Sequence, residues 1–391
     1  MRFISSGESH GKAICAIIDG FPSGLSIDFE FLNNELKRRQ KGYGRGKRMD
    51  IEKDSMEILS GIRFGKTLGS PISFLIYNAD WKNWDEKLSI KPLNKNNGTN
   101  DIRILNPRPG HADLPGYLKY RFDDIRNVIE RSSARETAAR VAAGGFAKLF
   151  LKMFDINIYS IVNKIGKIGM EPKYLHNILN EDLFLSAEKS DVRCPEPHIS
   201  AKMKEEIEHA SKEGDTLGGS FILYAKGLPA GLGSYTQWDR RLDAKISHAI
   251  MSIPAIKAVE IGQGINSANS YGTDVHDEIF YSKEKSFYRN SNNAGGIEGG
   301  ITNGEDIIVT AYMKPIPTTF LGLKTVNIET KSTETSLKER SDSCAVPAAS
   351  IVGEAMLAIT LTDEILKKFG EDNTSEILEN YNNFKTYLKN I

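Results

Sequence analysis

Apolar residues arrive along this chain in short runs closed by glycine or proline, and later in longer stretches at helical spacing. Ala13 to Ile18 is a run of strand length, and Gly20-Phe-Pro-Ser-Gly-Leu25 closes it as a turn. Residues 29–38 are spaced as an amphipathic helix, and Ile72 to Tyr77 as a further strand. From Asn78 to Asn106 the chain turns polar, with Trp81 and Trp84 inside it, which predicts a long surface excursion. Ala138, Ala142, Phe146, Leu149, Phe150 and Met153 then recur at helical spacing behind a Ser133-x-x-Glu136 capping box, so a helix is predicted to start near Ser133. A second core helix carries Pro347 in its first turn and Ala349, Val352, Met356 and Ile359 on one face.

The same syntax occurs twice. Gly20 to Leu25 returns as Gly227-Leu-Pro-Ala-Gly-Leu232, each time after an apolar strand, Ala13 to Ile18 and Phe221 to Ala225. Gly61, Gly65, Thr67, Gly69, Ile72 and Tyr77 return in register as Gly296, Gly300, Thr302, Gly304, Ile307 and Tyr312. Arg108-Pro109 is matched by Lys314-Pro315, and Arg131-Ser132 by Arg340-Ser341, each of the latter before an alanine-rich helix. This order points to an internal duplication with halves 1–160 and 215–370, joined by a charged connector. Candidate site residues fall in both halves, so a single interlocked domain over 1–370 is expected, followed by a polar tail at 371–391.

Composition narrows the function classes. At 391 residues, 40% hydrophobic and 26% charged, the chain is long and apolar enough for a sizeable core. Basic and acidic residues balance at 51 each, which removes a long-range field for nucleic acid and leaves only local anion sites. Three scattered cysteines (Cys15, Cys194, Cys344) form neither a disulfide framework nor a zinc pattern, so no metal site is expected. A reducing cytosol fits them, and no run approaches the roughly 18 apolar residues of a membrane span. The expected location is cytoplasmic.

Candidate chemistry sits in the punctuated segments. Pro109-Gly110 forces a turn that would present His111 on a loop. Arg131 and Arg135 flank the helix start near Ser133, a combination that would hold phosphate or carboxylate. His10 lies between Gly7 and Gly11, where it could donate a proton to a ligand or be structural. Lys37 to Arg48 is the densest basic stretch; it reads first as a clamp over a small anion, then as a solvated run, then as a nucleic-acid arm. Asn293 to Gly300 is glycine-rich but precedes a strand, so it is neither a dinucleotide fingerprint nor a P-loop. Asp342 is either a helix cap or a base, and Cys344 a packed small residue.

Taken together these segments resemble the chorismate synthase family. The motifs are Gly-Glu-Ser-His-Gly (7–11), Arg-Arg-Gln-Lys-Gly-Tyr-Gly-Arg-Gly (38–46), Arg-Pro-Gly-His-Ala-Asp (108–113), Arg-Ser-Ser-Ala-Arg-Glu-Thr (131–137), Gly-Asp-Thr-Leu-Gly-Gly (214–219), Ala-Gly-Gly-Ile-Glu-Gly-Gly (294–300) and Arg-Ser-Asp-Ser-Cys (340–344). The resemblance runs from Phe3 to about Leu366. It implies an α+β fold, a β-α-β sandwich with an internal repeat, assembled as a homotetramer. It implies the 1,4-anti elimination of phosphate from 5-enolpyruvylshikimate 3-phosphate to give chorismate, with reduced FMN and no net redox change. NADPH is implied as one source of reducing equivalents.

Carried onto this sequence, the resemblance makes His10 the acid for the departing phosphate, His111 the group governing the reduced flavin's protonation, and Asp342 the carboxylate that prepares flavin N5. It lines the cofactor site with Arg39, Arg45, Arg131, Ser132, Ser133, Pro254, Ala255, Gly299, Lys314, Pro315, Ile316, Pro317, Thr318 and Arg340. It lines the substrate site with Ser9, His10, Arg39, Arg45, Arg48 and Arg135. Pro254 stands where some members have Asn, and it cannot donate a backbone N–H. Two other readings remain: a flavin oxidoreductase with net electron transfer, and a nucleic-acid module on residues 37–48.

Overall fold

The computed structural model describes residues 1–46, 52–92, 103–170, 181–336 and 342–391. Two antiparallel sheets enclose a layer of helices, an α+β architecture. The first sheet contains β1 (Arg2–Ser6), β2 (Ala13–Asp19), β3 (Glu57–Ile58) and β4 (Ile72–Tyr77) in the order β1-β2-β4-β3. The second contains β5 (Asn157–Ile165), β6 (Ile168–Gly169), β7 (Gly219–Lys226), β8 (Ile256–Ile261) and β9 (Ile307–Met313) in the order β8-β9-β7-β5-β6. Read from the other edge, β5-β7-β9-β8 follows the strand order of the first sheet, with β6 added as a hairpin on β5.

The likeness extends to single atoms. In the first sheet's flanking turn, Thr67 Oγ1 donates to Pro22 O at 2.6 Å and accepts from Leu25 N at 3.0 Å. In the second, Thr302 Oγ1 donates to Pro229 O at 2.7 Å and accepts from Leu232 N at 2.8 Å. A buried hydroxyl thus satisfies one carbonyl and one amide at the same place in each half.

The helices that frame the site and core are α1 (Phe29–Gln40), α2 (Asp113–Tyr120), α3 (Arg126–Ser132), α4 (Thr137–Lys152), α5 (Leu242–Met251), α6 (Val346–Phe369) and α7 (Thr374–Lys389), of which α4 and α6 form the centre between the sheets. Their runs of alanine and glycine explain this. At Gly144 a Cβ would lie 2.3 Å from that of Ala355, so only glycine lets the two helix backbones approach this closely. Phe146, Phe150, Val352 and Leu357 fill the space around the contact, buried with Ile14, Phe74, Phe221 and Val309 from the two sheets.

One polar network crosses this core. Glu354, fully buried on α6, accepts from Lys148 at 2.5 Å, Arg38 at 2.8 Å, Arg193 at 3.2 Å and Ser160 at 2.6 Å. Burial opposes the charge, but the three cations outweigh it and hold the carboxyl well below its usual range. Arg38, which belongs to the basic stretch read first as a clamp over a small anion, therefore points inward.

Three other expectations change. The helix predicted near Ser133 begins at Thr137, because Ser133 is extended and residues Ala134–Glu136 form a 3-10 turn. Ser133 Oγ accepts from Arg135 N at 3.3 Å, and Glu136 pairs with Arg140, so the capping box is not closed. The segment after Gly370 carries α7, which docks on the core through Ile377 and Tyr381. No helix among the described residues is long and apolar enough to cross a membrane.

Candidate active site

The expected site residues fall into three clusters, each positioned by a turn that abuts α3 or the start of a core helix. The first gathers around His10. Gly7 to Gly11 forms the loop between β1 and β2, and Asn78 Nδ2 ties it down by donating to Gly11 O at 2.6 Å and Glu8 O at 3.2 Å. His10 Nδ1 lies 3.1 Å from both carboxylate oxygens of Glu130, whose Oε2 also accepts the His10 backbone N–H at 2.9 Å. Its ring stacks on Trp84, centroids 4.0 Å apart and planes inclined by 22°. Ser9 is buried, donating through Oγ to Ser133 Oγ at 3.0 Å and through its backbone to Glu130 O.

Behind this loop lies a chain of charges. Asp54 accepts from Arg39 at 2.6 Å and Arg135 at 2.5 Å, and Arg135 Nε donates to Asn78 Oδ1 at 2.7 Å. Burial raises the Asp54 pKa, but Arg39 and Arg135 bring it below the ordinary value. The two arginines expected to share an anion site at a helix start meet different partners. Arg135 is 95% buried and neutralised by Asp54, while Arg131 donates to Ser5 O at 2.9 Å and Gly7 O at 3.2 Å.

The second cluster surrounds His111. Gly110 has φ of +77°, the turn that proline-glycine requires, and α2 begins immediately after it. His111 Nδ1 lies 2.6 Å from Asp113 Oδ1, and Arg108 binds the same carboxylate at 2.9 Å through Nε. Asp113 is fully buried, and although burial opposes its charge, His111 and Arg108 hold it well below the usual carboxylate range. Lys314 Nζ donates to Gly110 O at 2.6 Å, joining the second half of the chain to this turn. Burial and then Lys257 lower the Lys314 pKa. Lys314 N donates to Ala255 O at 2.9 Å, and Ile316 O accepts from Thr216 at 2.7 Å, so the Lys314–Thr318 turn is anchored on both sides.

The third cluster is Arg45 with Asp342. Arg45 lies 2.9 Å from Asp342 Oδ2, and Gly46 N donates to Oδ1 at 2.6 Å. Asp342 is thus a partner of the basic loop, and Ala345 occupies the cap position of α6. Cys344 is buried, with its thiol pushed up to about 12 by burial, so it is a packed residue. Arg48 and Arg340 lie outside the described residues.

A groove of about 610 Å³ opens on the far side of α3, lined among others by Arg131, Ser132, Arg140, Ser252, Pro254 and Met356. It unites three expected cofactor residues from both halves. Ser132 itself turns back to Val128 O at 2.6 Å, and Gly299, at φ +60°, faces open space. Sequence reasoning missed Asp54, Asn78, Trp84 and Glu130. Only Glu130 had a local signal, since it directly precedes the Arg131 motif on the same face as Arg126.

Comparisons with known proteins show the family. The chorismate synthase family model matches residues 1–366. The chain belongs to the chorismate synthase family. It is 53% identical over 384 residues to a chorismate synthase of Alkaliphilus metalliredigens, covering 98% of this chain and 99% of that one. It is 50% identical over 396 residues to a chorismate synthase of Aquifex aeolicus, covering 100% and 99%. A crystal structure of a chorismate synthase superposes with a TM-score of 0.80 at 42% identity, covering 100% of this chain and 98% of that one. Chorismate synthases are carbon-oxygen lyases that eliminate phosphate from 5-enolpyruvylshikimate 3-phosphate to form chorismate, the last step of the shikimate pathway. Membership selects the lyase over the oxidoreductase and nucleic-acid readings.

Proposed function

We propose that this chain carries out the elimination with reduced FMN, using His10 as the acid on the leaving phosphate, His111 on the flavin side and Asp342 as the flavin-side carboxylate. The single observation behind this reading is that His10 and His111 each meet a buried carboxylate at Nδ1, which orients the opposite nitrogen, Nε2, for proton transfer. The residues suit an anionic cofactor. Arg39, 96% buried, has a side-chain Nε with no hydrogen-bond partner among the described residues, and the groove beside Arg131 and Pro254 has the volume of a ligand site.

Reduced FMN, when bound, would supply transient electron density to the allylic system of the substrate. Ser132, Ser133, Ala255, Gly299, Lys314, Pro315, Ile316, Pro317, Thr318 and Arg340 would complete its surroundings. His10 gives its Nε2 proton to the departing phosphate oxygen as the carbon–oxygen bond breaks, and the arginines offset the growing negative charge. Ser9, Arg39, Arg45, Arg48 and Arg135 are assigned to the substrate side. Arg39 and Arg45 are also the contacts assigned to NADPH, as one source of reducing equivalents. The partner set is thus the small-molecule substrate with no nucleic acid, and the location cytoplasmic.

The same reading takes 1–160 and 215–370 as two copies of one unit, supported by the shared strand order and the paired Thr67 and Thr302 bridges. Assembly as a homotetramer is supported by the outer face of the first sheet, where Ile4, Ile17 and Tyr77 lie exposed. The test is anaerobic turnover of the substrate with and without reduced FMN. Chorismate and phosphate are expected in equal amounts and only with reduced flavin. Binding of FMN without phosphate release would overturn the proposal.

A further inference from the structure

We propose that Glu130 and Trp84 are positioning residues for proton transfer by His10, a role that rests on the assignment of His10 as the acid. The two residues come from segments far apart in sequence and close on the imidazole from different directions. Glu130 holds the edge, with both carboxylate oxygens 3.1 Å from Nδ1 and Oε2 2.9 Å from the His10 backbone N. Its side chain is 98% buried. Burial opposes its charge, yet His10 and then Arg126 keep its pKa below the ordinary value, so the carboxylate is the accepting form.

Trp84 holds the face, its ring 4.0 Å from that of His10. The indole is itself fixed: its Nε1–H donates to Asp80 Oδ2 at 2.8 Å, with Arg126 5.2 Å and Lys87 5.0 Å from its ring centroid. Residues 78–92, the start of that excursion, thereby acquire a function, because they deliver this ring to the acid.

The two contacts act together. A carboxylate at Nδ1 fixes the ring's rotation and takes the Nδ1 proton as a hydrogen bond, so the proton that moves is the one on Nε2. A carboxylate and a π face are both groups that attract an adjacent cation, and both lie against this ring. When the substrate's carbon–oxygen bond breaks, the Nε2 proton passes to the phosphate oxygen and the imidazole becomes neutral while Glu130 keeps its charge. Among the described residues, the charged groups packed on this loop and on Trp84 are Glu130, Arg126 and Arg131 from α3, Asp80 and Lys87 from the excursion, and Glu8 of the loop itself.

The experiment is single turnover of 5-enolpyruvylshikimate 3-phosphate on the full chain with reduced FMN, across pH, for wild type, Glu130→Gln, Glu130→Asp, Trp84→Ala and Trp84→Phe. Glu130→Gln is expected to slow phosphate release about 10- to 100-fold and to move the basic limb of the profile down by about 1 pH unit, with partial rescue in Glu130→Asp. Trp84→Ala is expected to move the same limb down by about half a unit, and Trp84→Phe to restore it, because a π face remains. Variants that slow turnover but keep the wild-type profile would show a purely structural role and overturn the inference, as would variants indistinguishable from wild type. If Glu130→Gln does not fold, the Trp84 pair decides alone. A wild type that releases no phosphate would sink the lyase reading itself, a separate outcome.

Discussion

His10 and His111 look alike at first contact and differ in what surrounds them. Each presents Nδ1 to a buried carboxylate, Glu130 at 3.1 Å for the one and Asp113 at 2.6 Å for the other. Against the His10 ring the chain then places an aromatic face, Trp84. Against the His111 ring it places a second cation, since Arg108 reaches Nδ1 at 3.2 Å while binding Asp113 twice over. The carboxylate orients both rings, but the third neighbour differs in charge. One ring therefore meets a π face and the other a guanidinium. Two histidines with different third neighbours are thereby suited to different parts in proton handling.

Removing either ring separates the two most strongly. His10→Ala and His111→Ala are each expected to lower kcat by about 10²- to 10⁴-fold, the usual range for a positioned proton carrier. Rescue by added imidazole, if confined to His10→Ala, would sharpen the contrast; wild-type kcat in either variant would break it. Next in size is the carboxylate behind His111. Asp113→Asn leaves Arg108 buried without its counter-charge, and denaturant unfolding should show a loss of about 3–5 kcal/mol. The folded-state pKa of Asp113 is depressed, so its stabilisation is present above the unfolded value near 3.8 and disappears as pH falls through the lower folded value. Acid unfolding of the wild type should therefore steepen below about pH 4, and Asp113→Asn should flatten that limb. Smallest is Arg126→Met, which removes a cation 3.6 Å from Glu130 and over Trp84. Stopped-flow turnover should change by only about two- to fivefold, because Glu130 keeps its closer partner, His10 at 3.1 Å.

Much of the frame was legible because it depends on local periodicity. The strands Ala13–Asp19 and Ile72–Tyr77, α1 and α6 follow directly from apolar spacing and turn residues. The repeated Thr67 and Thr302 were visible as a motif, and their matching hydrogen bonds give that motif its physical content. What escaped was set by distant partners. Arg135 reads as a free cation until Asp54, 81 residues away, closes on it. Trp84 sits in a stretch with no period to announce its contact, and its meaning comes from stacking on His10, far earlier in the chain. Ser133 carries a capping signature, but its extended backbone and the 3-10 turn that follows delay the helix to Thr137.

The most direct test of the account is pre-steady-state phosphate release with reduced FMN already bound, compared between wild type, His10→Ala and His111→Ala, with flavin affinity measured in parallel. Slow release at unchanged flavin affinity is expected in His10→Ala, and slow release with altered binding of reduced flavin in His111→Ala. Wild-type release rates in both variants would contradict it.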